Sequence, residues 1–360
     1  MSLIKDAQNQ IGELFISGFE GTSLSDETRS FIKNKNIGGI ILFAHNYETP
    51  EQVTSLNKDI QSCQNNFPIW ISVDQEGGRV QRFTKPFTII PTAEVIGNSD
   101  SPTAIFEISQ MMAKELRSVG INLNFCPVAD ILTNSKNPVI GNRAFSSNPE
   151  IVAKSVTAMI RGHLTHGVQA CVKHFPGHGD TLQDSHDELP KIDVSLETLE
   201  SRELIPFTKA FKSRCSMVMT AHILNPKLDN QFPATLSEFT LKTILRKKLR
   251  YSKVIISDDM EMKAITHHYG ELEAPILALK AGCDLLIYRS QKACEIAFEA
   301  IFKALEQGQL DPQIVLDAAN RSLTLKKDFF NTKGEQPQIE PISNIGCAEH
   351  YAVIDKLNLS

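Results

Sequence analysis

The feature of this sequence that most constrains its fold is a series of eight short apolar runs separated by longer segments of helical character. Most of the runs are almost continuously apolar, as expected of parallel strands that are buried on both faces. Eight strand–helix alternations predict an α/β fold of the TIM type, a single-domain (β/α)8 barrel. A doubly wound open sheet is the alternative, because periodicity does not prove closure. The runs are residues 13–19, 39–44, 68–74, 122–130, 169–175, 216–222, 253–259 and 284–288.

Helical segments lie between these runs and after the last of them. Ser237 and the Asp311-Pro312 pair are capping signals that support two of their starts. We assign residues 1–331 to the catalytic barrel, since α/β barrels commonly reach this length as one domain. Residues 332–360 are a C-terminal extension in which a short helix, 348–357, packs back on the barrel. The helical segments are 50–63, 103–119, 151–166, 196–212, 237–249, 271–281, 292–306 and 311–329.

The composition is that of an ordinary globular protein, with 41% hydrophobic and 22% charged residues. A net charge of -5 without a basic block argues against nucleic acid and anionic membranes as partners. The N-terminal residues resemble no signal peptide and no later segment approaches a membrane span, so we predict a cytoplasmic protein. The seven cysteines have no clustered spacing and mostly lie in apolar runs, which predicts reduced core residues.

Polar side chains stand where five successive strand-like runs end. In a parallel barrel these ends lie on one face, where barrel enzymes place their active sites. Charges near a core are costly unless they are compensated, so stability alone does not explain five such ends. The sequence therefore predicts an enzyme with a charge-lined pocket. The residues are Asp74, Asp130, Lys173, His174, His222, Asp258 and Asp259.

The segment KHFPGHGDTLQDSHDELP, residues 173–190, leads from a strand into a loop. Pro176, Gly177 and Gly179 break regular structure, which indicates a loop of defined shape. The loop carries Asp184 and His186, separated by one serine. A carboxylate beside an imidazole orients the ring and stabilises its protonated form, so this pair is a candidate acid/base.

Cofactor and metal chemistry have little support in the sequence. A zinc site is the rival interpretation of the loop, because three histidines and an aspartate lie close together in it. Their spacing matches no short zinc pattern, and no CxxC or HxxxH run supports it. Neither GxGxxG nor GxxxxGK[ST] is present, so we predict neither metal nor cofactor. The possible ligands are His174, His178, Asp184 and His186.

What remains is a pocket with carboxylates, an imidazole–carboxylate pair, and the long donors Lys173 and Arg143. A carboxylate nucleophile with a separate proton donor is the equipment for breaking a glycosidic bond with retention. One group attacks the anomeric carbon while the other protonates the departing oxygen. Charged donors and acceptors around the rim suit hydrogen bonding to sugar hydroxyls.

These residues lie in motifs that resemble glycoside hydrolase family 3, and specifically its single-domain bacterial β-N-acetylhexosaminidases. The resemblance runs from about Gly12 to Tyr288, and SVDQEGGRVQR and KHFPGHG…DSH are its most specific parts. The motifs, in order, are GGIILFAHN, SVDQEGGRVQR, NFCPVADI, NPVIGNRAF, KHFPGHGDTLQDSH, MTAHI, PATLS and ISDDMEMKAI.

The resemblance implies roles for particular residues. The nucleophile falls on Asp258, and its neighbour Asp259 is the structural alternative. The acid/base falls on His186, held by Asp184, because this branch of the family uses the histidine of the D-S-H loop, whereas its two-domain β-glucosidases take a glutamate from a second domain. Arg117 is a weaker sugar-binding candidate, and His222 supports the pocket from behind. The residues implied to bind the sugar are Asp74, Arg143, Lys173 and His174.

The resemblance implies a retaining β-N-acetylhexosaminidase that removes non-reducing terminal N-acetylglucosamine through a covalent glycosyl-aspartate intermediate. The implied substrates are cytoplasmic muropeptides, N-acetylglucosaminyl-1,6-anhydro-N-acetylmuramoyl sugars of peptidoglycan recycling, and we expect a monomer. A β-glucosidase or a glycoside phosphorylase of the same family stays open, because a histidine acid tolerates an anionic acceptor better than a glutamate. A non-catalytic sugar-binding sensor is disfavoured because Asp258, Asp184 and His186 are all present.

Overall fold

The computed structural model describes residues 2–64, 67–181, 189–330 and 339–358. At its centre eight parallel strands close into a barrel, each paired with the strands before and after it in the chain. The last strand pairs with the first in parallel register, Phe15 opposite Leu286, so the predicted barrel is confirmed and the open sheet is wrong. The strands are β1 Phe15–Ser17, β2 Gly39–Leu42, β3 Trp70–Val73, β4 Leu123–Asn124, β5 Gln169–Phe175, β6 Met217–Thr220, β7 Val254–Asp259 and β8 Leu285–Tyr288.

Strand β4 is much shorter than the apolar run that predicts it. The run covers residues 122–130, but only Leu123 and Asn124 pair regularly with both neighbours. Pro127 has no N–H to donate to a ladder, which interrupts the pairing. Beyond Pro127 a single parallel bridge joins Val128 to Lys173, so the chain still runs beside β5 toward the carboxyl ends of the strands.

Helices surround the barrel and occupy the predicted segments, but one predicted helix is divided and four further helices are not among those predicted: Ser2–Gln10, Asp26–Lys35, Ala93–Asn98 and Lys263–Tyr269. Residues 196–212 form two helices because Pro206 cannot donate a hydrogen bond to the carbonyl of Arg202, where the break falls. The α-helices are α1 Ser2–Gln10, α2 Asp26–Lys35, α3 Pro50–Gln61, α4 Ala93–Asn98, α5 Pro102–Ser118, α6 Pro149–Thr165, α7 Leu196–Ser201, α8 Leu204–Lys212, α9 Lys263–Tyr269, α10 Ala274–Ala281, α11 Gln291–Glu306, α12 Pro312–Phe330 and α13 Ala348–Asp355. Residues Phe239–Lys248 form a π-helix between β6 and β7.

Two large apolar clusters, with two small ones beside them, stabilise this arrangement. The first lies between the outer faces of the strands and the helices, and the second fills the inside of the barrel. Inward-pointing side chains of successive strands fill a barrel of this size, so its interior is packed and not a pore. The interior residues include Ile16, Ile41, Trp70, Phe125, Met217, Met219 and Ile287.

The seven cysteines are all free thiols, and six of them are buried. Across the described ranges, no helix combines the length and apolar character needed to cross a membrane. After residues 331–338, which lie outside the described ranges, the chain continues as a segment that packs against α5 through helix α13.

Candidate active site

A cavity of about 700 Å³ opens at the carboxyl ends of the barrel strands. It brings together five of the residues implied by the resemblance, although they lie up to 184 positions apart in the chain: Asp74, Arg143, Lys173, His174 and Asp258. The proposed acid/base pair, Asp184 and His186, lies outside the described residues. Arg117 does not line this cavity; it donates to the carbonyl of His166 near the far end of helix α5.

Two cations and two carboxylates form a network on one wall of the cavity. The Lys173 Nζ lies 2.7 Å from Oδ1 of Asp74 and 2.6 Å from Oε1 of Glu76. Arg143 donates to both oxygens of Glu76, with Nε and Nη2 each at 2.8 Å. Such a bidentate pair fixes both position and orientation. Glu76 therefore binds both Lys173 and Arg143 and fixes the position of both cations in the cavity wall.

The ionisation of this network follows from mutual compensation. Burial alone would raise the pKa of Glu76, but Arg143 and Lys173 outweigh it and hold the pKa well below its usual range. Burial would lower the pKa of Lys173, but Asp74 and Glu76 raise it above its usual range. Glu76 likewise keeps the pKa of Arg143 high against burial. All three groups with shifted pKa values are ionised at neutral pH, which suits donation to neutral sugar hydroxyls.

Glu76 is a residue that the sequence interpretation does not identify. It lies in an antiparallel hairpin, Gln75–Gly77 with Val80–Gln81, that leaves the barrel directly after β3. Gly77 adopts a φ of 107°, and a side chain there would meet the Pro91 carbonyl oxygen at 2.5 Å, so glycine is required. The one signal in the sequence is a charged residue directly before two glycines, just beyond the polar end of the strand-like run.

His174 forms the second polar group of the site. Its Nδ1 lies 2.7 Å from Oδ2 of Asp130, a carboxylate with no solvent exposure. The backbone N–H of His178 donates to the other Asp130 oxygen at 2.7 Å. Burial would raise the pKa of Asp130, but His174 and His178 outweigh it and keep the pKa low. The carboxylate fixes the ring of His174 so that Nε2 is available to the cavity.

His178 lies beside His174 and supports it through the backbone N–H bond to Asp130. Burial lowers its pKa to about 4, so the imidazole is neutral under physiological conditions. Its Nδ1 lies 2.9 Å from Oγ1 of Thr181, and Asn137 donates to its carbonyl at 2.8 Å. These bonds hold the start of the loop that carries Asp184 and His186.

Asp258 lines the cavity near the end of β7. Burial alone would raise the pKa of its carboxyl. The imidazoles of His174 and His222, together with the Asp259 N–H that donates at 2.8 Å, outweigh burial and hold the pKa below its usual range. The group is therefore ionised at neutral pH, as a carboxylate nucleophile must be.

Asp259 behaves in the opposite way, although it is the next residue and also lines the cavity. Burial raises its pKa to about 7, against the lowering effects of the Glu261 N–H and Arg289. The Glu261 N–H donates at 3.0 Å, and Arg289 Nε lies at 3.2 Å. Two neighbouring carboxyl groups with separated pKa values are a recurrent property of catalytic acid/base sites.

His222 lies behind the cavity wall and is almost fully buried. Its Nε2 is 2.9 Å from the Asp259 carbonyl oxygen, and its Nδ1 is 2.8 Å from Oγ1 of Thr235. The ring thus fixes the backbone that carries both aspartates.

Metal chemistry finds no ready site in the part of the chain that the structure describes. No group of three or more histidine, cysteine, aspartate and glutamate side chains there is arranged to hold an ion. Asp74 pairs with Lys173, Glu76 with Arg143, Asp259 with Arg289, and Asp130, behind the cavity lining, with His174.

The fold is a parallel barrel, and a charge-lined cavity with an ionised aspartate lies at the carboxyl ends of its strands, as in barrel enzymes. Comparison with known proteins shows that this enzyme is a glycosidase. The chain belongs to glycosyl hydrolase family 3, because residues 7–325 match the N-terminal domain of that family. The resemblance drawn from the motifs is thereby confirmed.

Several relatives agree with this assignment. The β-hexosaminidase of Tolumonas auensis is 38% identical over 281 residues, covering 77% of this chain and 83% of the relative. A family 3 β-N-acetylglucosaminidase from Paenibacillus sp. str. FPU-7 superposes with a TM-score of 0.92 at 35% identity, over 97% of this chain and 68% of that one. NagZ from Neisseria gonorrhoeae, in complex with N-trifluoroacetyl-D-glucosamine, gives a TM-score of 0.78 at 31% identity, over 96% and 97%.

Proposed function

We propose that this glycosidase is a retaining β-N-acetylhexosaminidase that releases non-reducing terminal N-acetylglucosamine. The observation that carries the proposal is an ionised Asp258 in the same cavity as the Lys173–Glu76–Arg143 network. Relatives named β-hexosaminidase and a similar structure holding an N-acylglucosamine support the choice of sugar.

The proposed reaction has two steps. Asp258 attacks the anomeric carbon and forms a glycosyl-aspartate ester, while the departing oxygen takes a proton from His186, held by Asp184. Water then attacks the ester with His186 as the base, which regenerates Asp258 and gives net retention. Because the loop that holds His186 lies outside the described residues, the support for this step is the motif and the fixed start of the loop at His178.

The sugar itself is expected to bind the network and the His174 ring. Asp74, with its carboxylate on Lys173, and the Nε2 of His174 offer acceptors and donors in the same cavity as Asp258. Groups that are already oriented by Glu76 and Asp130 lose little entropy on binding, which is how an enzyme aligns the anomeric carbon.

For the leaving group, we propose a sugar that bears a carboxylate, as in N-acetylglucosaminyl-1,6-anhydro-N-acetylmuramoyl compounds. Arg79 lies exposed on the cavity rim and donates to the carbonyls of Pro138 and Val139. Among the described residues it forms no ion pair, so its charge is available to an anionic ligand.

The free, mostly buried thiols agree with a reducing cytoplasm. We also propose a monomer, with residues 332–360 as an extension of one barrel domain.

Aryl glycosides test the proposed sugar specificity. The N-acetylglucosaminide should be preferred over the glucoside in kcat/KM by more than the roughly 10- to 200-fold that apolar filling supplies, because unpaired buried polar groups penalise the wrong sugar. Preference for the glucoside would make the protein a β-glucosidase. Acceleration by phosphate, with a sugar phosphate as product, would make it a phosphorylase. Absence of turnover with measurable sugar binding would make it a sensor.

The leaving-group proposal needs a separate comparison. The anhydromuramoyl disaccharide and chitobiose present the same non-reducing sugar, but only the former carries a carboxylate. Arg79→Ala should lower kcat/KM for the former and leave chitobiose unchanged, and added salt should reduce the difference in the wild type. Equal effects on both disaccharides would remove the anionic leaving group from the proposal.

A further inference from the structure

The C-terminal segment, residues 339–358, lies outside the family match and outside the cavity, yet it contacts the loop that follows the active-site hairpin. The contact is centred on Glu115 of helix α5, a carboxylate that is 3% exposed. Two chain segments meet at this carboxylate: the loop after the hairpin and the C-terminal segment.

Glu115 receives four hydrogen bonds. Thr88 gives two, from its N–H at 3.0 Å and its hydroxyl at 2.6 Å. The C-terminal segment gives the other two, from the Gly346 N–H at 2.8 Å and from His350, whose Nδ1 lies at 2.7 Å. A buried carboxylate is stable only when its oxygens are satisfied, so each segment contributes to holding the other.

Thr88 transmits this restraint to the hairpin. Its carbonyl accepts a hydrogen bond from the Gln81 side chain at 2.9 Å, and Gln81 pairs with Gln75 in the hairpin. The Ile90 N–H donates to the same Gln81 side chain at 2.9 Å, and the Gly78 N–H donates to the Ile90 carbonyl at 2.9 Å. These bonds surround Glu76, the carboxylate that orients Lys173 and Arg143.

The C-terminal segment and the loop after the hairpin also contact each other directly, through their backbones. Gly346 has a φ of 65°, and a Cβ there would lie 2.0 Å from the Pro86 carbonyl oxygen. The backbones therefore approach as closely as glycine alone permits. Pro86 lies two residues before Thr88, so the C-terminal segment touches the loop both through Glu115 and directly.

We propose that Glu115 is a positioning residue for sugar binding, and that the C-terminal segment acts through it to hold the hairpin of Glu76 in register with the cavity. The inference rests on the proposed function only in taking the Glu76 network to bind the sugar. Displacement of reacting groups by about 1 Å costs up to about 10²-fold in rate, so a relaxed hairpin has a measurable effect.

Two substitutions with matched controls test the proposal. Glu115→Gln removes the charge and replaces one of the two oxygens that accept from the four donors by an NH2 group, which cannot accept a hydrogen bond, and Glu13→Gln is its control. Glu13 is also buried and also bonded to a distant part of the chain, with Lys326 at 2.7 Å, but it precedes β1 at the opposite end of the barrel. Gly346→Ala forces the segments apart, and Gly308→Ala is its control. Gly308 has a φ of 68°, and a Cβ there would meet no atom within 4 Å, so its substitution carries the backbone penalty alone.

The readout is the division between KM and kcat, measured below the melting temperature of every variant. Glu115→Gln and Gly346→Ala should lose roughly 10- to 100-fold in kcat/KM, mainly through a higher KM. Both controls should keep the wild-type KM even where their melting temperatures fall. If Glu115→Gln does not fold, the glycine pair alone decides the question.

Wild-type KM values in Glu115→Gln and Gly346→Ala, with lower melting temperatures only, would overturn the proposal and leave the segment a purely stabilising one. The assay uses whichever aryl glycoside the wild type turns over best. A wrong choice of sugar therefore refutes the proposed specificity and not the role of Glu115.

Discussion

At the scale of single residues, the site is defined by the way neighbours separate the properties of two adjacent aspartates. His174 and His222 stabilise the charge of Asp258, whereas burial dominates at Asp259. Adjacent residues of one strand thus offer an ionised carboxylate, which is the proposed nucleophile, and a carboxyl group whose pKa is about 7. The sequence motif alone cannot distinguish them, because the difference arises from groups on β5 and beyond the end of β6.

Substitution of the two aspartates should separate their roles. Asp258→Ala should lower kcat by roughly 10⁴-fold or more, the scale at which nucleophile removal acts. Asp259→Asn should be milder. The contact that fixes this residue runs from His222 to its backbone carbonyl oxygen, so it does not depend on the Asp259 side chain. Trapping with a 2-fluoro sugar followed by peptide mapping identifies the nucleophile. A label on any residue other than Asp258 would contradict the assignment.

Asp259 should also affect the pH dependence of stability. Its folded-state pKa of about 7 lies above the ordinary value of 3.8, so the folded protein binds this proton more tightly than the unfolded chain does. The resulting stabilisation is complete below about pH 4 and is lost as the pH rises through 7. Relative to the wild type, Asp259→Asn should therefore gain stability between about pH 4 and pH 8. Urea unfolding across this range measures the difference, and parallel curves would refute the raised pKa.

At the scale of elements, proton transfer is assigned to the loop after β5, whereas nucleophilic attack and sugar binding are assigned to the strand ends and the hairpin. His186→Ala should slow substrates with poor leaving groups about 10²- to 10⁴-fold more than activated aryl glycosides, because only the former need a proton. Asp184→Asn should follow the same pattern more weakly. Kinetics with a series of aryl leaving groups measures the dependence.

Asp259 is the matched comparison for the proton donor, because it is the described carboxyl group in the cavity with a pKa near neutrality. Equal losses for good and poor leaving groups in His186→Ala would exclude His186 as the acid. If the leaving-group dependence appeared in Asp259→Asn instead, the proton donor would be Asp259.

The elements that the sequence predicts well are those set by local composition. Buried parallel strands are continuous apolar runs, so all eight can be located, and the polar residues at their ends do line or support one cavity. Helix α2 is not among the predicted helices, although Ser25 caps it and Asn36 ends it in the left-handed conformation. Its buried face is only three residues, which is too weak a periodicity to detect.

What could not be predicted depends on contacts between distant residues. Glu76 acquires its role from Arg143, 67 positions later, and from Lys173, 97 positions later. Its hairpin is held by Gln75 and Gln81 side chains, which have no distinctive pattern in a sequence. The bond between Glu115 and Gly346 spans 231 positions. Such pairings follow from closure of the barrel and not from local preference.

At the scale of the whole molecule, the two ends of the barrel carry different kinds of charge. The carboxyl end holds the cavity, where cations and carboxylates are oriented toward a ligand. The opposite end holds compensated buried ions that lie away from this cavity, such as Glu13 with Lys326 and Ser322. This division is the general one for barrels, in which one face supports chemistry and the other supports stability.

Asp284 offers the sharpest test of this division. It precedes β8 at the stability end, has no solvent exposure, and binds Arg246 at 2.6 Å and Arg321 at 2.7 Å. It also accepts the N–H of Ile255 at 2.7 Å, which ties β7 to β8. Removing the charge leaves two partly exposed guanidinium groups without their carboxylate, so Asp284→Asn should lower the free energy of unfolding by about 1–3 kcal/mol.

The same variant should leave catalysis intact, because Asp284 precedes β8, whose other end pairs with Asp259 through Ile287, and does not line the cavity. Urea unfolding measures the stability, and steady-state kinetics well below the midpoint measures kcat and KM. Glu76→Gln is the opposite case: it breaks a buried pair at the catalytic end and should raise KM as well as destabilise. If Asp284→Asn raised KM as much as Glu76→Gln does, the separation of stability and function between the two ends would be wrong.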